Sequence, residues 1–181
     1  MTIHQSIRRG LGLTAIMAFG ACNPTPEDDV PIAEPSVTPV AEVVAQPDTT
    51  SDGIWAHLTA AEYRENWRLW PGKDELYTGV DPHGMLLTTY ANDVAFAALS
   101  AGSTQLPEGS VVVKENFMPD STLAAVTTMY RVRGYNPEHQ DWFFAKHDPA
   151  GVVEVAGRDP MCQGCHAGAP GADYLFTELP R

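Results

Sequence analysis

Two cysteines and a histidine near the end of the chain carry the strongest chemical signal in the sequence, Cys162-Gln163-Gly164-Cys165-His166. In a CxxCH segment both thiols can add to the vinyl groups of a haem, and the histidine becomes the proximal ligand of its iron. The spacing serves that chemistry because two sulfurs and one imidazole must reach the edge and one face of a single porphyrin. Two other readings compete. A redox CxxC pair is expected beside a βαβ pattern, and none precedes this one. A zinc site wants a fourth ligand and a second pair. The motif therefore predicts one covalent haem c, bound by Cys162, Cys165 and His166, with His166 on the metal.

Only 15 residues follow His166, and none is Met or His. A sixth ligand would have to come from upstream, from Met118, Met129, Met161, His139 or His147. The methionines read equally well as core packing. An open or water-filled sixth position is favoured, and such a site binds small ligands, which points to catalysis or sensing over electron transfer alone.

The third cysteine, Cys22, needs its own explanation. Arg8 and Arg9 form a short basic region, and residues 11–18 are an apolar run too short to span a bilayer. The run ends at Phe19-Gly20-Ala21-Cys22, which resembles a bacterial lipobox, although Phe19 replaces the usual Leu. Residues 1–21 are expected to be a lipoprotein signal peptide and Cys22 the lipidated first residue. An ordinary secretory signal cleaved nearby is the alternative. Asn23 in place of Asp favours the outer membrane by the same resemblance, so a lipid-anchored periplasmic protein is expected. Haem c is attached after translocation, which fits export and disfavours a twin-Arg route for Arg8-Arg9.

Residues 23–52 hold six Pro and seven acidic residues with no Lys or Arg. They cannot bury enough apolar surface to offset chain entropy, so residues 22–52 are expected as a disordered tether. Residues 53–181 form the remaining domain, large enough for a sizeable core. The whole chain has a formal net charge of −12, which argues against a nucleic-acid partner.

The elements that must position these residues are mostly strands. Thr59-Ala60-Ala61-Glu62 reads as a capping box opening a helix to about Leu69, with Trp55, Tyr63, Trp67 and Trp70 as aromatic core. Strands are expected over 85–91, 111–117, 124–132, 142–146 and 152–155, with a helix over 94–101 capped by Asn92 and turns at 107–109 and 148–151. Short connections favour antiparallel pairing. The expected fold class is α+β, mostly antiparallel sheet with a few helices and the haem segment C-terminal to it. Alternation along 111–117 puts Val112, Lys114 and Asn116 on one face and Val111, Val113 and Glu115 on the other.

Taken together these segments resemble the cytochrome P-460 family, which includes the β-sheet cytochromes c′. The matching pieces are Pro82-His83-Gly84, Tyr90-Ala91-Asn92, Pro107 to Glu115, Gly134-Tyr135-Asn136-Pro137, Asp141-Trp142-Phe143-Phe144, the haem motif, and Asp173-Tyr174-Leu175-Phe176-Thr177. The resemblance implies a mostly antiparallel haem domain over residues 53–181, commonly a homodimer. It also implies a second covalent link, from a Lys nitrogen to a meso carbon of the porphyrin, and Lys114 occupies the matching place. On alternation alone Lys114 reads rather as a solvent-facing strand residue. Family members active on hydroxylamine have a distal carboxylate shortly before the haem motif, and Glu154 stands in the corresponding strand as a candidate proton relay. An outward-facing Glu154 is the competing reading. Some members have a distal Arg in the strand before Tyr90, whereas this chain has Leu86 and Leu87, which makes the pocket more apolar. Phe96, Phe143 and Phe144 are candidates for lining it, Tyr130 and Arg133 for reaching a propionate, and His83 reads as a structural turn residue.

The function implied is oxidation of hydroxylamine, or of nitric oxide, at a five-coordinate, Lys-linked haem. Lys114 and Glu154 act in catalysis, an external acceptor such as a small cytochrome c takes the electrons, and nitrous oxide is the family's product. The alternative is a binding protein of the c′-beta kind that sequesters nitric oxide without turnover. A six-coordinate electron carrier is a third reading.

Overall fold

The computed structural model describes residues 46–170 and 173–176. The expected signal peptide, Cys22 and most of the expected tether lie outside the described residues. A seven-stranded antiparallel sheet dominates, in the order β1-β3-β4-β5-β6-β7 with β2 also paired to β3. The strands are β1 (Arg68–Leu69), β2 (Tyr77–Thr78), β3 (Leu86–Ala91), β4 (Val111–Phe117), β5 (Leu123–Arg131), β6 (Trp142–His147) and β7 (Val153–Gly157). The helices are α1 (Ser51–Ala60), α2 (Tyr63–Asn66), α3 (Asp93–Ser100) and α4 (Pro160–Ala167). Among the described residues no helix is long and apolar enough to cross a membrane.

The α+β architecture agrees with the pattern of the sequence, and α3 begins at its expected cap. Asn92 Oδ1 accepts from the Ala95 amide at 3.0 Å and from the Val111 amide at 3.1 Å, which ties the helix start to β4. The first helix differs from expectation. Thr50, not Thr59, is the cap of α1, accepting from the Gly53 amide at 3.0 Å. Thr59 lies inside the helix and its hydroxyl donates back to the Trp55 carbonyl. Glu62 takes a left-handed φ of 44° that ends any continuation. Arg68 and Leu69 then leave the helix to pair with Ala91 and Tyr90 at the sheet edge. Long-range pairing overrides the local capping signal here. Because α1 starts at Ser51, and Gln46 accepts from the Tyr130 hydroxyl at 2.8 Å, the folded unit reaches into the end of the expected tether.

Alternation along β4 divides the molecule. Val111 and Val113 pack with Ile54, Leu58, Tyr63 and Phe143 under α1. Glu115 on that face is buried but satisfied by the Tyr63 hydroxyl and the Arg64 guanidinium. Val112, on the opposite face, joins Met129, Phe144, Trp70 and Trp142. That second face carries the site.

Candidate functional site

A cavity of about 480 Å³ lies between the second sheet face and α4, within the range that holds a large organic ligand. Its floor is built in rungs of cross-strand partners. Val112, Met129 and Phe144 form one rung, Lys114, Thr127 and Lys146 the next, and Asn116 and Ala125 the third. All of them line the cavity.

The other wall is α4, a helix that was not foreseen around the haem motif. Asp159 caps it, its carboxylate accepting from the Met161 and Cys162 amides at 3.0 and 2.9 Å, and Pro160 sits in the first turn where its missing N–H costs nothing. Helical spacing then brings Cys162, Cys165 and His166 to the cavity together. Both thiols are free. Burial, followed by the Asp159 carboxylate, pushes the Cys162 thiol up to about 11. His166 Nδ1 lies 2.7 Å from the Tyr174 carbonyl. A carbonyl can only accept, so Nδ1 carries the proton and Nε2 keeps its lone pair, the state a metal ligand needs. Burial lowers the pKa of this imidazole and keeps it neutral.

Lys114 is on the cavity face with Val112 and Asn116, the face that the family resemblance favoured and that alternation alone did not. Burial, helped by the Lys73 charge, lowers its amine from 10.5 to about 8. Glu154 is not brought to the cavity. The β6–β7 register passes from Lys146 opposite Val155 to His147 opposite Val153, which leaves Glu154 as the extra residue of a bulge. Its half-exposed carboxylate meets Nζ of Lys146, itself a lining residue, at 2.7 Å. Of the two readings left open for Glu154, the outward-facing one agrees with its absence from the lining residues.

Other candidates separate cleanly. Met118, Met129 and Met161 line the cavity. His147 is on the α1 face, with Nε2 at 3.2 Å from the Ser51 carbonyl, and His139 is turned to the Tyr174 hydroxyl. Phe144 lines the cavity, while Phe143 belongs to the opposite core and Phe96 packs under Arg68. Tyr130 is committed to Gln46, and Arg133 to Glu108 on the surface. Neither Leu86 nor Leu87 is among the lining residues. His83 does line the cavity, and burial, then the Lys114 charge, lower its pKa to about 4. Its partner Asn116 was not singled out in the sequence. Only its place on the Lys114 face could have drawn attention to it.

A hydrophobic cleft against an antiparallel sheet, walled by a capped helix that offers two thiols and one neutral imidazole nitrogen, defines a haem-binding β-sheet protein. The model of the cytochrome P460 family matches residues 61–177, and the chain belongs to that family. None of the curated proteins compared matches the chain. Membership implies a haem cofactor, and the donor set described above fits one: an apolar slot, an imidazole whose Nε2 is bare, and thiols on the same helix face.

Proposed function

We propose that this chain is an exported, lipid-anchored protein with one haem c, which oxidises hydroxylamine. The observation that carries the reading is Lys114, whose half-buried amine, lowered to about 8, stands on the central rung of the haem cavity. Cys162 and Cys165 would hold the haem through thioethers, and His166 Nε2 would be its protein ligand. When bound, the haem supplies an iron at which hydroxylamine can bind and from which electrons pass to an external acceptor such as a small cytochrome c. The protein's part is to position and to exclude water. Val112, Met129 and Phe144 keep one side apolar, and the Tyr174 carbonyl fixes the His166 tautomer. A nitrogen bond from Lys114 to the porphyrin edge would fix the group in the slot and change its electronics. Cys22 would anchor the chain in the periplasm, and a homodimer is the expected assembly.

The absorption spectrum and peptide mass of the purified holoprotein test this. A reduced Soret band shifted strongly to the red, with the Lys114 peptide remaining on the haem after proteolysis, is the expected result. Lys114→Ala should keep haem and lose hydroxylamine oxidation. Wild-type turnover in that variant refutes the assignment.

One observation favours a second reading, capture of nitric oxide without turnover. Asp159 is the only carboxylate among the described lining residues, and it is occupied in capping α4. Among the described lining residues there is thus no carboxylate without another partner to take the protons that hydroxylamine oxidation releases.

A further inference from the structure

We propose that Asp173 is a positioning residue for the haem ligand: it holds the Tyr174 carbonyl against His166 Nδ1 and so sets how strongly Nε2 donates to the iron. The inference rests on the haem reading above.

His166 is in the last turn of α4, and its ring takes its hydrogen bond from outside that helix, from a carbonyl eight residues further on. A carbonyl in a return segment is ordinarily free to turn toward water. Here the preceding residue is tied down at each of its three oxygen atoms. Asp173 Oδ2 accepts from the Leu106 amide at 2.7 Å, Oδ1 from the Arg131 guanidinium, and the main-chain carbonyl from Trp142 Nε1 at 3.1 Å. The partners belong to three parts of the chain: the segment before β4, the end of β5 and the start of β6. Asp173, Leu106 and Trp142 are buried, and the Arg131 guanidinium carbon lies over the Trp142 ring, 5.4 Å from its centre.

The backbone of the next residue is held in a conformation that serves the same end. Tyr174 has a left-handed φ of 61°. A residue with a Cβ keeps that conformation only where its surroundings over-determine it. The rotation sends successive carbonyls to different partners, that of Asp173 to Trp142 and that of Tyr174 to His166 Nδ1 at 2.7 Å. Aromatic rings hold the imidazole from other directions, Phe144 with its centre at 5.2 Å and Phe176 at 5.6 Å. The Tyr174 hydroxyl is committed to His139 Nδ1 at 3.3 Å. It is therefore the main chain of Tyr174, and not its phenol, that serves His166.

A buried Asp–Arg pair can serve stability alone. Two observations point beyond that. Asp173 is tied through its main chain as well as its carboxylate, and the residue in the left-handed conformation is the one that carries the acceptor. An acceptor on Nδ1 raises the basicity of Nε2. The donor strength of the axial ligand is in turn one of the levers a protein has on the potential of a haem iron. Positioning of this kind makes and breaks no covalent bond and moves no electron.

The test is the iron–histidine stretching frequency of the ferrous holoprotein by resonance Raman spectroscopy, with the midpoint potential by redox titration. Asp173→Asn keeps the size of the side chain and drops the charge that faces Arg131. Trp142→Phe keeps an aromatic ring and removes the donor to the Asp173 carbonyl. Each should lower the frequency and raise the midpoint potential, with the haem still attached by mass. Tyr174→Phe keeps the carbonyl and should match the wild type in both. Leu58→Ala, in the core on the other sheet face, should unfold at lower urea yet leave both readouts unchanged. In the cyanide-bound ferric wild type, the His166 Nδ1 proton should be seen by NMR and exchange slowly with deuterium. A rapidly exchanging proton overturns the inference without any variant. Wild-type readouts in both Asp173→Asn and Trp142→Phe overturn it as well, as does a shift in Leu58→Ala as large as theirs. A chain that carries no covalent haem by mass overturns the underlying reading and the inference with it.

Discussion

Replacing Lys114 with methionine should stabilise the protein made without haem. The amine is lowered from 10.5 to about 8 by burial in the cavity. At pH 7 the unfolded chain holds its proton more tightly than the folded one, by about 2–3 kcal/mol after allowing for the part of the side chain that meets solvent. Methionine keeps an unbranched apolar stem and drops the charge. The sign can be read from pH as well. Between about 8 and 10.5 the unfolded state binds more protons at this site, so stability of the parent should rise by about 2 kcal/mol from pH 8 to 10. Above about 10 the trend reverses, because burial holds Tyr63 and Tyr90, the latter at about 12, above the ordinary tyrosine value and the unfolded chain loses those protons first. Urea denaturation of a Cys162→Ala, Cys165→Ala background, with and without Lys114→Met, measures both effects. The variant should unfold at higher urea with the same slope and lose the rise between pH 8 and 10. Equal midpoints at pH 7, or a parent that is flat over that window, refute the reasoning. The same lowering bears on chemistry: at pH 7.5 about a quarter of Lys114 is a free amine, against about one in a thousand for an ordinary lysine.

Three further outcomes can be measured directly. Asp173→Ala removes a carboxylate 1% exposed that pairs with Arg131 and accepts from the Leu106 amide at 2.7 Å; leaving Arg131 buried and unpaired should cost about 3–5 kcal/mol in urea denaturation. Gly84→Ala would put a Cβ at 2.5 and 2.6 Å from the backbone N and O of Phe117, which cannot yield as a side chain could, and a loss of about 1–3 kcal/mol is expected. Glu154→Gln breaks only an exposed pair, so stability should change by less than about 1 kcal/mol and hydroxylamine turnover by less than about twofold. A tenfold loss of turnover would return the proton relay to Glu154.

The sequence made β4 legible because alternating Val and polar residues state both the strand and its two faces, whereas which face meets the cavity, and so the place of Lys114, came from the family resemblance and not from that pattern. Asn92 announced α3 for a similar reason: a cap acts within three residues. What failed was long-range. Thr59 and Glu62 form a good local signal, yet the edge pairing of Arg68 and Leu69 with β3 decides where the helix ends. The face of Glu154 stayed open because a bulge inserts one residue without any mark in composition. His83 and Asn116 are 33 residues apart, and a turn histidine cannot show its hydrogen-bond partner until the strands are paired.

Every strand of the sheet, and with it the whole floor of the cavity, precedes Asp159 in the chain. A polypeptide that emerges N-terminus first has made the floor of its pocket before the helix that walls it. Asp173 to Phe176 emerge later still, and they reach back to Arg131, Leu106, Trp142 and the His166 ring. The order of synthesis is thus floor, wall, then latch. Under the haem c reading proposed above, Cys162, Cys165 and His166 would receive the haem after the floor strands have been made, and Tyr174, whose carbonyl orients the His166 imidazole, follows them in the chain.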